Sequence, residues 1–301
     1  MVIIKTTAAL SVLLHCHLHL LPAAASAGGV QTDDPTFHRS PPMGYSAWKA
    51  FTFEANETDI KAAADGLVAS GMHAAGYRTL SLDGGWWGGG KSGKVRRNAS
   101  GFFTVNDTKF PCSGPGGNGG LLSLSRYVTD RGFQFGLYTS AAKSMCSKDS
   151  GGSAGNEEQD AALFQSWNVS LMKLDMCGSP AAQHQAVMTK WRRLYDQLSP
   201  DRKIMLFNSL VGCSQYYAAP ATKRGTMPAW CYATSTTMYQ PEDGNDMWDV
   251  IIERHNSVRG RGHLARPGSW LDPGFLPLDI GDNYFDNSQR SLDQNRAVMS
   301  L

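Results

Sequence analysis

The sequence predicts an α/β fold, a (β/α)8-type barrel of parallel strands with helices outside. Three observations predict it. Short apolar runs alternate with segments of helical spacing about seven times, without reversal. In most units the loop after the strand is longer than the loop before it, as where strand ends carry a site. Acidic residues stand at or beyond several strand ends: Asp83, Asp175, Asp243 and Asp272. Seven units favour a barrel over an open sheet, and no eighth strand is found. The expectation is therefore a barrel truncated before its eighth strand, with two exposed edges.

The elements follow in order. Pro41-Pro42-Met43-Gly44-Tyr45-Ser46-Ala47-Trp48 opens the first strand. A helix follows, with Thr58 as its expected cap and Ile60, Ala64, Leu67, Val68 and Met72 at helical spacing; Gly76 ends it. Tyr77 to Asp83 is the second strand. The glycine-rich loop after it formally matches a phosphate loop from Gly85 to Gly90-Lys91-Ser92, but no amphipathic helix opens at the lysine, so phosphate binding is rejected. A short helix from Leu121 to Arg131 presents Leu121, Leu124 and Val128, and Gly132 stops it. Phe133 to Tyr138 is the third strand. A helix around Glu157–Trp167 leads to the fourth strand, Leu171-Met172-Lys173-Leu174-Asp175. Ala182 to Leu198 is helical, with Val187, Trp191 and Leu194 on one face. Lys203 to Ser209 is the fifth strand, and a weaker sixth is expected near Trp230-Cys231-Tyr232-Ala233. A helix from about Asn245 should bury Trp248, Ile251 and Ile252. The seventh strand ends at Gly268 to Pro273, and a last helix is expected near Leu292–Leu301.

With 301 residues, 18% charged and a net charge of +2, the chain gives no reason to expect a nucleic-acid partner. Its 8 Trp and 10 Tyr suit an aromatic-lined sugar cleft, although any single Trp reads first as core. Residues 1–27 resemble a secretory leader: Lys5, a mostly apolar run from Ala8 to Leu21 broken by His15, His17 and His19, and a small-residue site at Ala25-Ser26-Ala27. Residues 28–301 are then the barrel domain. No run is long enough to span a bilayer. Sequons at Asn56, Asn98, Asn106 and Asn168 fit a glycosylated product of the secretory pathway. Without Cys16 of the leader, five cysteines remain, which suggests two bridges and one free thiol. None has zinc-ligand spacing, so no structural metal is expected; the two-carboxylate chemistry considered below needs no cofactor.

A carboxylate at the end of a buried barrel strand sits on the rim where such folds place their chemistry. Asp175 reads as a catalytic nucleophile, with Lys173 on the same face of the strand. The plainer reading is a helix cap. Two carboxylates facing each other across a cleft are what glycoside cleavage needs, about 5 Å apart when configuration is retained.

In order along the chain, Pro41-Pro42-Met43-Gly44 with Trp48, Leu82-Asp83 with Trp86, Phe110-Pro111, Gly136-Leu137-Tyr138, Asp160-Ala161 with Phe164 and Trp167, Lys173-Leu174-Asp175-Met176-Cys177 and Gly268-Ser269-Trp270-Leu271-Asp272-Pro273 resemble the retaining α-galactosidases and α-N-acetylgalactosaminidases, the melibiase family. The resemblance covers about Pro41 to Leu301. In this family an eight-strand barrel precedes an antiparallel β domain, which this chain would lack. It implies Asp175 as nucleophile and Asp243 as acid/base, with Trp48, Asp83, Tyr138, Lys173, Ser209 and Asp272 around the sugar. It also implies a Cys146–Cys177 bridge. Cys213–Cys231 is a plausible second bridge, leaving Cys112 free. The implied partner is an α-galactoside-type oligosaccharide or glycoconjugate, and a homodimer is compatible with this. The location would be outside the cell or in a lysosome or vacuole.

Departures from the family pattern accompany the match. Gly84 replaces the second of two adjacent Asp; Phe53 and Gly85 replace a cysteine pair; Tyr239 aligns with a sugar-holding Arg; Gly274 replaces an Asp. Each lost charge-assisted hydrogen bond removes roughly 1.5–3 kcal/mol. Ser209 and Gly212, both small, resemble the N-acetylgalactosaminidase branch, where they make room for a 2-acetamido group; drift of the whole loop explains them equally well. The alternative to an active glycosidase is a carbohydrate-binding homologue with impaired turnover.

Overall fold

A computed structural model describes residues 39–89, 97–111, 120–147, 151–209, 212–216, 227–239 and 248–275, with residues 248–251 described by backbone alone. Seven strands form one parallel sheet in sequence order: β1 (Gly44–Ser46), β2 (Thr79–Leu82), β3 (Gln134–Ser140), β4 (Leu171–Asp175), β5 (Met205–Ser209), β6 (Thr237–Tyr239) and β7 (Trp270–Asp272). The helices are α1 (Trp48–Phe51), α2 (Glu57–Ala69), α3 (Leu122–Thr129), α4 (Glu157–Ser166), α5 (His184–Leu198), α6 (Ala229–Thr234) and α7 (Trp248–Val258). Lys49 in α1 places its Nζ 5.6 Å from the centre of the Phe275 ring, beyond β7. The loops of the first and last strands therefore meet, and the sheet is curled in the manner of a (β/α)8 barrel. Among the described residues no helix is long and apolar enough to cross a membrane.

Every residue of β3 and β4 is buried. Helices cover their outer face and the curl of the sheet encloses the inner one, which is why their sequences run apolar instead of alternating strictly. Outside, Ala161 and Phe164 of α4 and Met188, Trp191 and Tyr195 of α5 are buried in the same core. Inside, register sets the order of side chains. Tyr138 pairs with Lys173, which pairs with Phe207; one step further, Ser140 pairs with Asp175, which pairs with Ser209. Since side chains alternate along a strand, Lys173 and Asp175 face the same way.

Several expectations are corrected. The cap of α2 is Asn56, not Thr58: Asn56 Oδ1 accepts from the backbone N–H groups of Thr58 and Asp59, and Asp59 Oδ2 accepts from Asn56 N–H, a reciprocal capping box. Ile60 and Ala64 are buried as expected, but Val68 is 46% exposed. The segment expected as the sixth strand is the helix α6, and the strand begins four residues past Ala233, at Thr237–Tyr239. Met227, Cys231 and Thr234 are buried at intervals of four and three, the helical period, and the Cys213–Cys231 bridge holds this turn. The burial expected of Trp248 and Ile251, the last helix, Cys16 and Cys112 lie outside the described residues; Ile252 is half-buried.

The long segment between β2 and α3 is fixed by Trp86. Its indole is fully buried and donates from Nε1 to the Tyr138 carbonyl at 3.0 Å. Trp87, Phe103, Phe164 and Trp167 surround it at 5.3–5.8 Å between ring centres, mostly edge to face. Next to this cluster Arg97 grips the buried Asp160 of α4 through two hydrogen bonds of 2.7 and 2.8 Å. Trp86→Ala should lower stability by about 3–5 kcal/mol, the cost of emptying a large aromatic site. Urea unfolding followed by far-ultraviolet circular dichroism would read this, and a change below ~1 kcal/mol would show that the ring cluster is not what secures the loop.

Candidate active site

Three charged side chains converge at the ends of β2 and β4, and each residue is at least 94% buried: Asp83, Lys173 and Asp175. Lys173 Nζ donates to Asp83 Oδ2 at 2.9 Å and lies 4.0 Å from Asp175 Oδ1. The other Asp83 oxygen accepts from Gly84 N–H at 2.8 Å. One ammonium between two carboxylates leaves a net negative charge. Around the ammonium stand three aromatic rings, Tyr138, Tyr239 and Phe275, with centres at 5.4, 5.9 and 5.6 Å. Their electron-rich faces attract a cation and replace part of its hydration.

A bridge holds the Asp175 end. Cys146, from the loop after β3, is bonded to Cys177, two residues past the aspartate, with an S–S length of 2.03 Å. Cys146 Sγ lies 3.3 Å from Asp175 Oδ2. A bonded sulfur carries no proton, so this contact positions the carboxylate by packing. Ligand atoms of Cys146, Asp175 and Cys177 lie within 4.8 Å of one another. Metal binding needs thiolates, which the bridge removes, so this trio is not a metal centre.

A cavity of about 250 Å³ opens over this group. Trp48 and Phe53 come from the segment after β1, Asp83 and Gly84 from the end of β2, Tyr138, Cys146 and Ser147 from β3 and its loop, and Lys173 and Asp175 from β4. The volume lies below the ~300–1,000 Å³ of drug-sized ligand sites and suits a single sugar ring. Its chemistry is one wall of ionised and hydrogen-bonding groups and another of aromatic faces.

Five of the expected residues are thus brought together: Trp48, Asp83, Tyr138, Lys173 and Asp175. Ser209 is fully buried beside Asp175 on the next strand but does not line the cavity. Asp272 ends β7 opposite Tyr239, also away from the lining. Asp243 lies outside the described residues. Both bridges expected form, Cys146–Cys177 and Cys213–Cys231. Of the four sequon residues, Asn98 is exposed and the other three are half-buried, with Asn168 Oδ1 accepting from Arg202 at 2.9 Å. The sequence reading missed Phe53 and Ser147 as lining residues, and the ring cage around Lys173. An apolar side chain in a loop carries no chemical signal, and three rings from β3, β6 and the segment after β7 meet only in the fold.

The family model described as alpha galactosidase A, of the melibiase group, matches residues 40–301. The chain belongs to this family. Alpha-galactosidase 2 of Arabidopsis thaliana is 31% identical over 242 residues, covering 80% of this chain and 54% of the relative. Alpha-galactosidase A of Aspergillus niger is 29% identical over 261 residues, covering 82% and 45%. The chain therefore spans about half the length of the curated relatives it matches. The crystal structure of alpha-galactosidase I from Mortierella vinacea superposes with a TM-score of 0.64 at 19% identity, covering 83% of this chain and 63% of that one, a likeness of fold.

Asp272 provides a pH handle. Asp272 as a whole is half-buried, but desolvation at its carboxyl pushes it up to about 6, against the pull of the Gly274 N–H and of the Lys173 and Arg254 charges. Its ordinary value is 3.8, so between about pH 4 and 6 the folded chain holds a proton that the unfolded chain has released. Stability therefore falls as pH rises through that window. Asp272→Asn, which stays neutral, should remove this component. Thermal unfolding from pH 4 to 7 should show the variant gaining on the parent as pH rises; parallel curves would mean that the carboxyl is solvated.

Proposed function

We infer that this chain is the catalytic barrel of a retaining exo-α-glycosidase that removes terminal α-galactosyl or α-N-acetylgalactosaminyl residues. The observation that carries this reading is Asp175, buried at a strand end, beside a ring-sized cavity, with Lys173 and Asp83 next to it. Membership of the α-galactosidase family supports it, as do the names of the curated relatives.

The mechanism is double displacement. A carboxylate oxygen of Asp175 attacks the anomeric carbon and the glycosidic C–O bond breaks, while Asp243 donates its proton to the leaving oxygen. Asp243 then takes a proton from water, whose oxygen attacks the same carbon and expels Asp175. Each step inverts, so the configuration is retained. Asp83 and Lys173 hold ring hydroxyls, with the carboxylate accepting and the ammonium donating, and Trp48 and Tyr138 form the walls. The Lys173 charge also steadies Asp175 as an anion. Residues 1–27 act as a leader, and the sequons at Asn56, Asn98, Asn106 and Asn168 carry glycans. The two bridges fit that route, since disulfides persist in oxidising compartments.

The galactoside reading is favoured over the acetamido one. A Cβ at Gly212 would sit 1.9 Å from Asn208 Oδ1, the same oxygen that accepts from Cys213 N–H. Gly212 is small because that turn is tight, and Ser209 does not reach the cavity. Impaired turnover is the second reading, favoured by Tyr239: where the family pattern has a sugar-holding Arg, a buried ring packs against Phe207 and Phe275.

Rates on aryl α-galactoside and α-N-acetylgalactosaminide decide between these readings. The parent should hydrolyse the galactoside and Asp175→Ala should lose roughly a thousand-fold or more in kcat. Equal rates for parent and variant, or a parent inert on a wide panel of glycosides, would remove the hydrolytic reading.

A further inference from the structure

We propose that the Cys146–Cys177 bridge conceals a metal site. Once a dithiol has reduced it, the two sulfurs and the Asp175 carboxylate bind one zinc ion, which withdraws the carboxylate from chemistry. Zinc binding itself does not depend on the glycosidase reading; only the loss of hydrolysis that follows from it does.

Three ligand atoms are already assembled. Cys146 Sγ lies 3.3 Å from Asp175 Oδ2, and one ligand atom each from Cys146, Asp175 and Cys177 lie within 4.8 Å of one another. Tetrahedral zinc, with Zn–S about 2.3 Å and Zn–O about 2.1 Å, sets a sulfur and an oxygen about 3.6 Å apart. The Cys146–Asp175 pair therefore needs little movement. The two sulfurs, joined in the bridge, have to part to about 3.8 Å. Cys177 has room for this. It stands in the partly exposed turn from Met176 to Ser179, closed by the Ser179 N–H on the Met176 carbonyl at 3.0 Å, and a Cβ at Gly178 would meet nothing within 4 Å. The carboxylate is divided between two tasks: Oδ1 faces Lys173 Nζ at 4.0 Å, and Oδ2 faces the sulfurs. The fourth position opens to the cavity, which Cys146 and Asp175 both line, and there water completes the tetrahedron.

Exposure marks this bridge as the one that a reductant reaches. Both of its residues are half-buried and Cys146 lines the cavity, whereas Cys213 and Cys231 are fully buried. Exposed bridges are the labile ones. One thiolate of the dithiol attacks a bridge sulfur and expels the other as a thiolate; the reagent's second thiolate then attacks the mixed disulfide and leaves as the reagent's own ring disulfide. Two electrons pass to the bridge, and two thiols remain. Ligation to zinc releases their two protons. Charge favours the cation. Asp83, Lys173 and Asp175 sum to one negative charge, two thiolates make three, and zinc leaves one. Thiolates also select zinc over magnesium or calcium.

The test uses the full chain, treated with a dithiol that is then removed under nitrogen. Alkylation and mass mapping should find Cys146 and Cys177 free with Cys213–Cys231 intact. The reduced protein should take up one zinc ion per chain more than the oxidised protein, and one more than reduced Cys146→Ser/Cys177→Ser; a chelator should release it. Cobalt(II) in place of zinc should give a thiolate-to-metal charge-transfer band that the double variant lacks. Asp175→Asn should weaken zinc binding by at least about ten-fold, the low end of the loss when even a group that only orients a ligand is removed. Opening of both bridges together, equal zinc uptake by the reduced parent and the double variant, or undiminished affinity in Asp175→Asn overturns the proposal. The comparison of reduced with oxidised parent stands even if a variant does not fold. Hydrolysis of an aryl α-galactoside should stop when zinc is added to the reduced protein, continue when it is added to the oxidised one, and return with the chelator; turnover with the zinc bound overturns the part given to Asp175. Zinc uptake by a chain that hydrolyses no glycoside would remove the glycosidase reading and leave the metal site in place. Hydrolysis by a chain that takes up no zinc when reduced would do the reverse.

Discussion

Lys173 Nζ sits between two buried carboxylates, 2.9 Å from Asp83 and 4.0 Å from Asp175, inside a cage of aromatic rings. Burying two carboxylates at that depth costs several kcal/mol each unless a cation is paired with them. The pairing costs side-chain freedom and hydration, so the rest of the structure has to hold three strands in one register. Parallel pairing supplies that. Tyr138, Lys173 and Phe207 share one level, and Ser140, Asp175 and Ser209 the next, so the charges arrive together only when the register is right. A slip by one residue would turn Lys173 and Asp175 toward the helices.

Rigid supports surround this triad on the β2 to β4 side. Trp86 ties the loop after β2 to the backbone of β3, Arg97 ties the same excursion to α4, and the Cys146–Cys177 bridge ties the loop after β3 to the end of β4. Each support joins a long loop to an adjacent element. Long loops are free to carry function only when their closure is fixed in this way. The arrangement also explains why the described cavity is lined from four neighbouring units.

Coupling between positions 53, 84 and 85 has a wider consequence. Changes that look separate along the chain meet in one place: the Phe53 ring occupies the space beside position 84, and the Phe53 backbone closes position 85.

The apolar runs and their alternation with helical spacing determined the parallel sheet, most of its helices and Asp175 at a strand end. Those signals are local: a buried strand must be apolar whatever surrounds it. The family motifs named Trp48, Asp83, Tyr138 and Lys173 in addition. At Trp230-Cys231-Tyr232-Ala233 the expected strand is a helix, because Met227, Cys231 and Thr234 bury one face at helical spacing, a period that four residues are too few to display. Only the tertiary structure decided that Phe53 fills position 84, that Tyr239 and Phe275 enclose Lys173, and that Ser209 and Asp272 stand back from the cavity. These are distances between groups brought together by the curl of the sheet from residues far apart in the chain. Composition and periodicity record what a residue is, not what it meets.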